Sequence, residues 1–199
     1  MKIQLYDILL TLLRPFIVIF GKIGLPKRKV TGEDYFRFRD SINIGTVLLT
    51  KTNFEFSNLI NPTELKHAGI YVGSIFGDEI KYVFESTGKG AVLTDLVTFM
   101  LTKDIVVGCE LRAKNPQQTA EVLPKTVLRF KGTKYDYLFK DGGKAFYCFE
   151  LAAECLKDVY PHLNLKCREI VAGKKIYDHD TFLDADLFTV VFDTRKVKK

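Results

Sequence analysis

Residues 67–86 hold two short runs, HAGIYVG and IKYVFES, separated by a brief polar turn. They restrict the fold more than any other part of the chain. The first run alternates strictly: Ala68, Ile70 and Val72 point one way, and His67, Gly69, Tyr71 and Gly73 the other. Gly77-Asp78 supplies a turn, and the second run returns with Tyr82 and Phe84 on one face and Lys81, Val83 and Glu85 on the opposite one. Two such runs pair as an antiparallel hairpin, which sets the end of one against the beginning of the other. Glu85 is thereby brought near His67. The glycines on the His67 face are expected to leave the backbone there open to a ligand.

The flanking segments extend this pattern. GTVLLTKT (residues 45–52) is β-branched and leucine-rich and reads as a strand. GKGAVLTDLVTFM, from Gly88, reads as a turn, a short strand and a helical piece capped by Thr94. DIVVGCELRA is a further strand, and its alternation puts Cys109 with Val107 and Leu111, as a core thiol. The stretch from Asn115 begins helically, is expected to break at Pro124, and ends in a turn at Gly132 followed by three aromatics around Asp136.

KAFYCFELAAECL (residues 144–156) then opens a helix on a cysteine. Positions 148, 152, 155, 156 and 159 are Cys, Ala, Cys, Leu and Val, and they share one face at helical spacing. Glu150, Glu154, Lys157 and Asp158 fall on the opposite face, expected to be wet. Cys148 therefore looks inward from the first helical turn. A thiolate there is favoured by unpaired backbone N–H groups and by the helix dipole. Glu150 lies roughly 200° around the helix from Cys148, out of reach of the sulfur; its role is that of a carboxylate in a first turn. Most helix-face cysteines are small core residues. A histidine on an open strand face with a carboxylate beside it changes that balance, because a thiolate nucleophile needs a base and a group to orient the base. His67, Glu85 and Cys148 are the residue types for that work.

The remaining features exclude more than they identify. A composition of 47% hydrophobic and 27% charged residues over 199 positions suits a globular domain. The net charge of +6 is concentrated at PKRK (residues 26–29) and at the C-terminal TRKVKK, with no basic stripe interleaved with aromatics, so no nucleic-acid partner is expected. The four cysteines form no CxxC and no zinc-finger spacing. This points to a reducing, cytoplasmic setting, with Cys155 and Cys167 as plain core residues. The segment 1–30 is the most apolar of the chain, but Asp7, Arg14 and Pro15 interrupt it and no small-residue cleavage site follows. It falls short of the ~20 apolar residues a bilayer span needs. Two arrangements suit it: a helix packed on the domain, or a peripheral membrane contact with Lys22, Lys27, Arg28 and Lys29 at anionic headgroups. The chain divides into an apolar helical segment and basic linker over 1–40 and a domain over 41–199.

The runs from Gly45 to Gly73, VFESTGKGAVLTDLVTFM, KYDYLF and FYCFELAAECL together resemble the circularly permuted NlpC/P60 cysteine hydrolases, in their YiiX/YebB-like branch, which includes poxvirus homologues. These papain-like thiol enzymes are related to the lecithin–retinol acyltransferase group. The likeness runs from about Gly45 to about Val159. The order also suits the permuted group, since His67 and Glu85 precede Cys148. The resemblance implies an α+β, papain-like fold, with an antiparallel sheet or half-barrel packed against the helix that carries the cysteine. It makes Cys148 the nucleophile, His67 the base and Glu85 the residue orienting the imidazole. Tyr135, Asp136 and Tyr147 match a motif neighbourhood that lines the cleft in that family, and Tyr71, on the His67 face by alternation, is expected to bind substrate with them. Many members have Gly-Asp before the first strand where this chain has Gly45-Thr46, which puts any role of that carboxylate in doubt.

The implied reaction is cleavage of an amide, in a small peptide or isopeptide, through an acyl-enzyme. A lipid amide or ester hydrolase or acyltransferase at a membrane surface, and a non-catalytic binding module that keeps the cleft, are the alternatives. No cofactor is implied. A metal site built from His67, His179 and Cys148 is outweighed by the reading of YDHD (residues 177–180) as a polar loop, and His162, beside Pro161, reads as surface.

Overall fold

The structure is a computed structural model that describes residues 30–52, 64–139, 144–169 and 174–196. The apolar segment 1–29, and with it the membrane-contact reading, lies outside the described residues. In chain order the elements are α1 (Gly32–Ser41), β1 (Val47–Lys51), β2 (His67–Gly73), β3 (Tyr82–Thr87), β4 (Gly90–Asp95), α2 (Leu96–Leu101), β5 (Ile105–Leu111), α3 (Pro116–Phe130), α4 (Cys148–Val159), β6 (Arg168–Glu169), β7 (Lys175–Ile176), α5 (His179–Leu183) and β8 (Phe188–Asp193). Six strands form one sheet in the order β4-β3-β2-β1-β5-β8, every neighbour antiparallel.

Helices cover both faces of this sheet. On one face Val47, Leu49, Ala68, Ile70 and Phe84 pack with Leu123 and Val127 of α3 and with Leu151, Ala152 and Cys155 of α4. On the other, Leu48, Tyr71, Val83 and Val106 meet Phe38 of α1 and Leu96, Phe99 and Met100 of α2. Burial from both sides explains why β1 is an almost continuous apolar run and not an alternating one. Each fully buried Leu or Phe here contributes about 1.5–3 kcal/mol of transfer free energy.

Several local expectations change once the layers are in place. Residues 32–40, assigned by sequence to a basic linker, form most of α1. Thr31 and Asp34 cap it reciprocally, and Phe38 anchors it fully buried on the sheet. The α3 helix does not end at Pro124 but runs through it to Phe130, because Leu123, Thr126 and Val127 are buried on both sides of the proline. Tertiary packing thus outweighs the one backbone hydrogen bond that a proline forfeits. The α2 helix is capped by Asp95, whose carboxylate accepts from Thr98 N, and not by Thr94, which belongs to β4. Residues 177–180 are not a loop: Asp178 caps α5.

The α4 helix differs from a two-sided amphipathic helix. Glu150 is only 8% exposed, not on a wet face. The neighbouring Phe149 stacks on Phe182 of α5 at 6.5 Å between ring centroids. Glu150 instead reaches back to the Tyr147 backbone N–H at 3.4 Å. Cys109 and Cys155 are fully buried, but Cys167 is exposed and is not a core residue.

Candidate active site

His67 is the first residue of β2, so its side chain stands at the end of the sheet, where the layers on the two faces meet. Register brings its partner: β2 pairs with β3 so that Gly69 faces Glu85, two residues from His67 on the same face. A Cβ at residue 69 would lie 2.6 Å from Val83 Cγ1 and 3.3 Å from the Phe84 carbonyl oxygen. Glycine is thus required there for β2 and β3 to approach. The glycine face is consequently not open to a ligand. It is packed by Val83 and by Phe99, whose ring centroid lies 6.4 Å from that of His67.

Glu85 Oε2 lies 2.6 Å from His67 Nε2. With Nε2 taken by the carboxylate, Nδ1 is the nitrogen left to interact with the sulfur of Cys148. Cys148 is the first residue of α4 and is 5% exposed. Its sulfur lies 3.9 Å from the Lys66 carbonyl oxygen and is faced by the backbone N–H groups of Ala68 and Phe149. The first turn of α4 and the start of β2 therefore aim donors at one sulfur.

The charges follow from this geometry. Burial pushes the Cys148 thiol up. The hydrogen bond to His67, its charge and the two backbone donors outweigh burial and bring the thiol below its ordinary range. Burial likewise disfavours the imidazolium, but the hydrogen bonds and charges of Cys148 and Glu85 prevail and raise His67 to about 9. For Glu85, burial acts upward, and His67, Lys103 and Thr94 together bring the carboxyl down to about 2. The three shifts all run toward the charged forms: thiolate, imidazolium and carboxylate. The other buried thiols lack such partners: burial raises Cys109 to about 12 and pushes Cys155 up as well.

The four residues expected to line the cleft divide. Tyr135 is half-buried beside Cys148; burial and the neighbouring cysteine's charge keep its phenol well above the usual range. Tyr147 caps α4, and its hydroxyl accepts from the Tyr177 backbone N–H at 2.7 Å, so it anchors the segment leading into α5. Asp136 is buried and accepts from Leu138 N at 2.8 Å, which shapes the turn after Tyr135. Tyr71 does not line the cleft. It is buried in the core on the α1–α2 side, and its backbone N–H bonds to Thr46 O. That is the far end of β1 from Thr50, the partner of His67, about 13 Å away at strand rise. Parity alone put Tyr71 with His67; the helices covering that face removed it. Thr46 belongs to the same distant end. Its hydroxyl bonds to the Asn43 carbonyl and to Glu110, which also accepts from Asn43 and Lys114. The departure from Gly-Asp therefore lies in a structural cluster away from the sulfur.

Among the described residues, one group brings three ligand atoms within 4.8 Å of one another: Asp178, His179 and Asp180. Neither His67 nor Cys148 belongs to it. Asp178 is already engaged as the α5 cap and in an ion pair with Arg168 at 2.8 Å, and His179 faces Asp180 at 3.4 Å. His162 is exposed.

Three comparisons bear on this arrangement. A family model described as a permuted papain-like amidase enzyme of the YaeF/YiiX type matches residues 41–188. Protein OPG091 of variola virus is 25% identical over 154 residues, covering 77% of this chain and 86% of the viral protein. The OPG091 proteins of vaccinia virus (strain Copenhagen) and monkeypox virus are each 24% identical over the same length. Among solved structures, the fold resembles that of the Escherichia coli O157:H7 protein described as metalloprotein yiiX. The TM-score is 0.65 at 17% identity, over 76% of this chain and 97% of the bacterial one.

Proposed function

This chain belongs to the permuted papain-like amidase family, and from that premise we propose that it cleaves an amide bond with Cys148 as nucleophile, His67 as base and Glu85 as the group that orients and charges the imidazole. The observation that carries this reading is the continuous chain Glu85–His67–Cys148, with 2.6 Å between carboxylate and ring and the sulfur at a helix N-terminus.

The steps follow from the resting charges. The Cys148 thiolate attacks the carbonyl carbon of the substrate amide, and the carbonyl π electrons move onto oxygen. Backbone N–H groups in the first turn of α4 and the Tyr135 hydroxyl are the donors placed to receive that oxyanion, a device worth about 2.7–4 kcal/mol per donor. The His67 imidazolium gives its proton to the leaving amine as the C–N bond breaks, leaving a thioester on Cys148. Neutral His67 then takes a proton from water, hydroxide adds to the thioester, and the thiolate departs with His67 protonated again. Glu85 keeps its charge throughout, which favours the imidazolium at both ends of the cycle. The family's amidase description supports an amide substrate, which we take to be a small peptide or isopeptide.

The test is a hydrolysis screen with peptide amides, isopeptides and acyl-lipid amides and esters, run for the wild type and Cys148→Ala. Expected is turnover of at least one amide class that the variant loses, with a thioester adduct on the Cys148 peptide by mass spectrometry under rapid quench. Equal rates for the two proteins on every substrate, with no adduct, would overturn the proposal. Turnover confined to acyl lipids would transfer the site to lipid substrates.

A further inference from the structure

The sequence pattern singles out Thr94 as a helix cap, but the structure gives that work to Asp95, and the Thr94 hydroxyl is directed elsewhere. The β3–β4 register pairs Glu85 with Val92 and Val83 with Thr94, so Glu85 and Thr94 are diagonal neighbours on one face. Across that diagonal Thr94 Oγ1 donates to Glu85 Oε1 at 2.5 Å, while Oε2 of the same carboxylate lies 2.6 Å from His67. Glu85 is 6% exposed, so little water competes for either oxygen. A carboxylate on a flexible side chain held at only one oxygen can rotate about its last bond. Held at both, its plane is fixed, and with it the direction in which it meets the imidazole.

We propose that Thr94 is a positioning residue for the catalytic trio: its hydroxyl holds Glu85 ionised and oriented, so that His67 remains an imidazolium against Cys148. The chain of contacts is then four members long, Thr94–Glu85–His67–Cys148, and crosses three strands and one helix. Thr94 touches no reacting atom and acts only through Glu85. The hydroxyl, and not the methyl, is what the role requires. Valine keeps the shape and β-branching of threonine and removes the donor, and serine keeps the donor. This inference rests on the reading of Cys148 and His67 as a reactive pair.

The experiment uses iodoacetamide, which needs no knowledge of the substrate. The second-order rate of Cys148 alkylation is followed against pH by peptide mapping in the wild type, Thr94→Val and Thr94→Ser. Loss of a hydrogen bond to a charged group weakens Glu85 as a partner, so His67 holds its proton less firmly and the thiolate loses stabilisation. Expected in Thr94→Val is an acid limb whose midpoint moves up by roughly 0.5–1 pH unit, with alkylation below it slower by about three- to tenfold; Thr94→Ser restores the wild-type curve. Thermal melting is recorded alongside, since a purely structural role lowers the melting temperature without moving the midpoint. Should Thr94→Val fail to fold, Thr94→Ala is read by the same curve. An unmoved midpoint in the donor-less variant, or a serine variant that behaves like the valine one, overturns the proposal. If wild-type Cys148 itself shows no acid limb below that of an ordinary thiol, it is the reactive-pair reading that fails.

Discussion

At pH 6, Cys148 is expected to react with iodoacetamide faster than every other cysteine of the chain, and His67→Ala is expected to abolish that preference. An ordinary thiol near pKa ~8.5 is only about 0.3% thiolate at this pH. Cys148, held below its usual range by His67 and two backbone N–H groups, carries a larger thiolate share at this pH, with full ionisation setting a ceiling of about 300-fold in reactive species. A less basic thiolate is intrinsically a weaker nucleophile, with a Brønsted slope of about 0.4–0.5, which returns about one order of magnitude. Cys167 is the internal reference, because it is exposed. Partial burial of Cys148 slows access further, so an observed ratio of about tenfold or more over Cys167 is the expectation. Removing the imidazole leaves burial, which acts upward, as the largest influence on the thiol, and the ratio then falls below one. The assay is timed quenching and quantitative peptide mapping of all four cysteines. A Cys148 rate no greater than that of Cys167 in the wild type, or a ratio unchanged by His67→Ala, would refute the ion-pair argument.

Three further expectations concern the same site. With His67 raised to about 9, kcat/KM should hold on the alkaline side until the imidazolium loses its proton near that pH; in Glu85→Gln the alkaline limb moves down toward the ordinary histidine value of about 6.5, and kcat falls by about 10²–10⁴. Tyr135→Phe removes a hydroxyl next to the sulfur and should lower kcat by about 10²-fold or more with little change in KM, read by steady-state kinetics on any substrate found. Gly69→Ala places a Cβ 2.6 Å from Val83 Cγ1 and should destabilise the domain by about 1–3 kcal/mol, measured by denaturant unfolding, while slowing Cys148 alkylation because the β2–β3 spacing sets the Glu85–His67 contact.

Much of this arrangement was legible in the residues alone, because it depends on short-range periodicity. Strict alternation in HAGIYVG and IKYVFES already implies the hairpin that brings Glu85 to His67, and 3.6-residue spacing turns Cys148 inward from the tip of α4. What periodicity lacks is knowledge of the other side. A strand's parity says which residues share a face and not what covers it. Tyr71 therefore shared a face with His67 in the sequence and a core with Phe38 and Phe99 in space. Glu150 looked solvated by helical spacing and is buried in the fold. Pro124 looked like a helix end because local propensity was the only term available, and the packing of α3 against α4 is a long-range term.

The amino-acid order by itself determined the strands, the hairpin and the inward-facing thiol, since each of these follows from interactions within a few residues. Only the tertiary structure decided that a two-sided sheet carries them, that Ala68 and Phe149 aim their N–H groups at the sulfur, and that Thr94 grips the second oxygen of Glu85. Those are contacts between chain segments whose meeting depends on register and layer packing, quantities set by the burial of the whole core and by no single stretch of sequence.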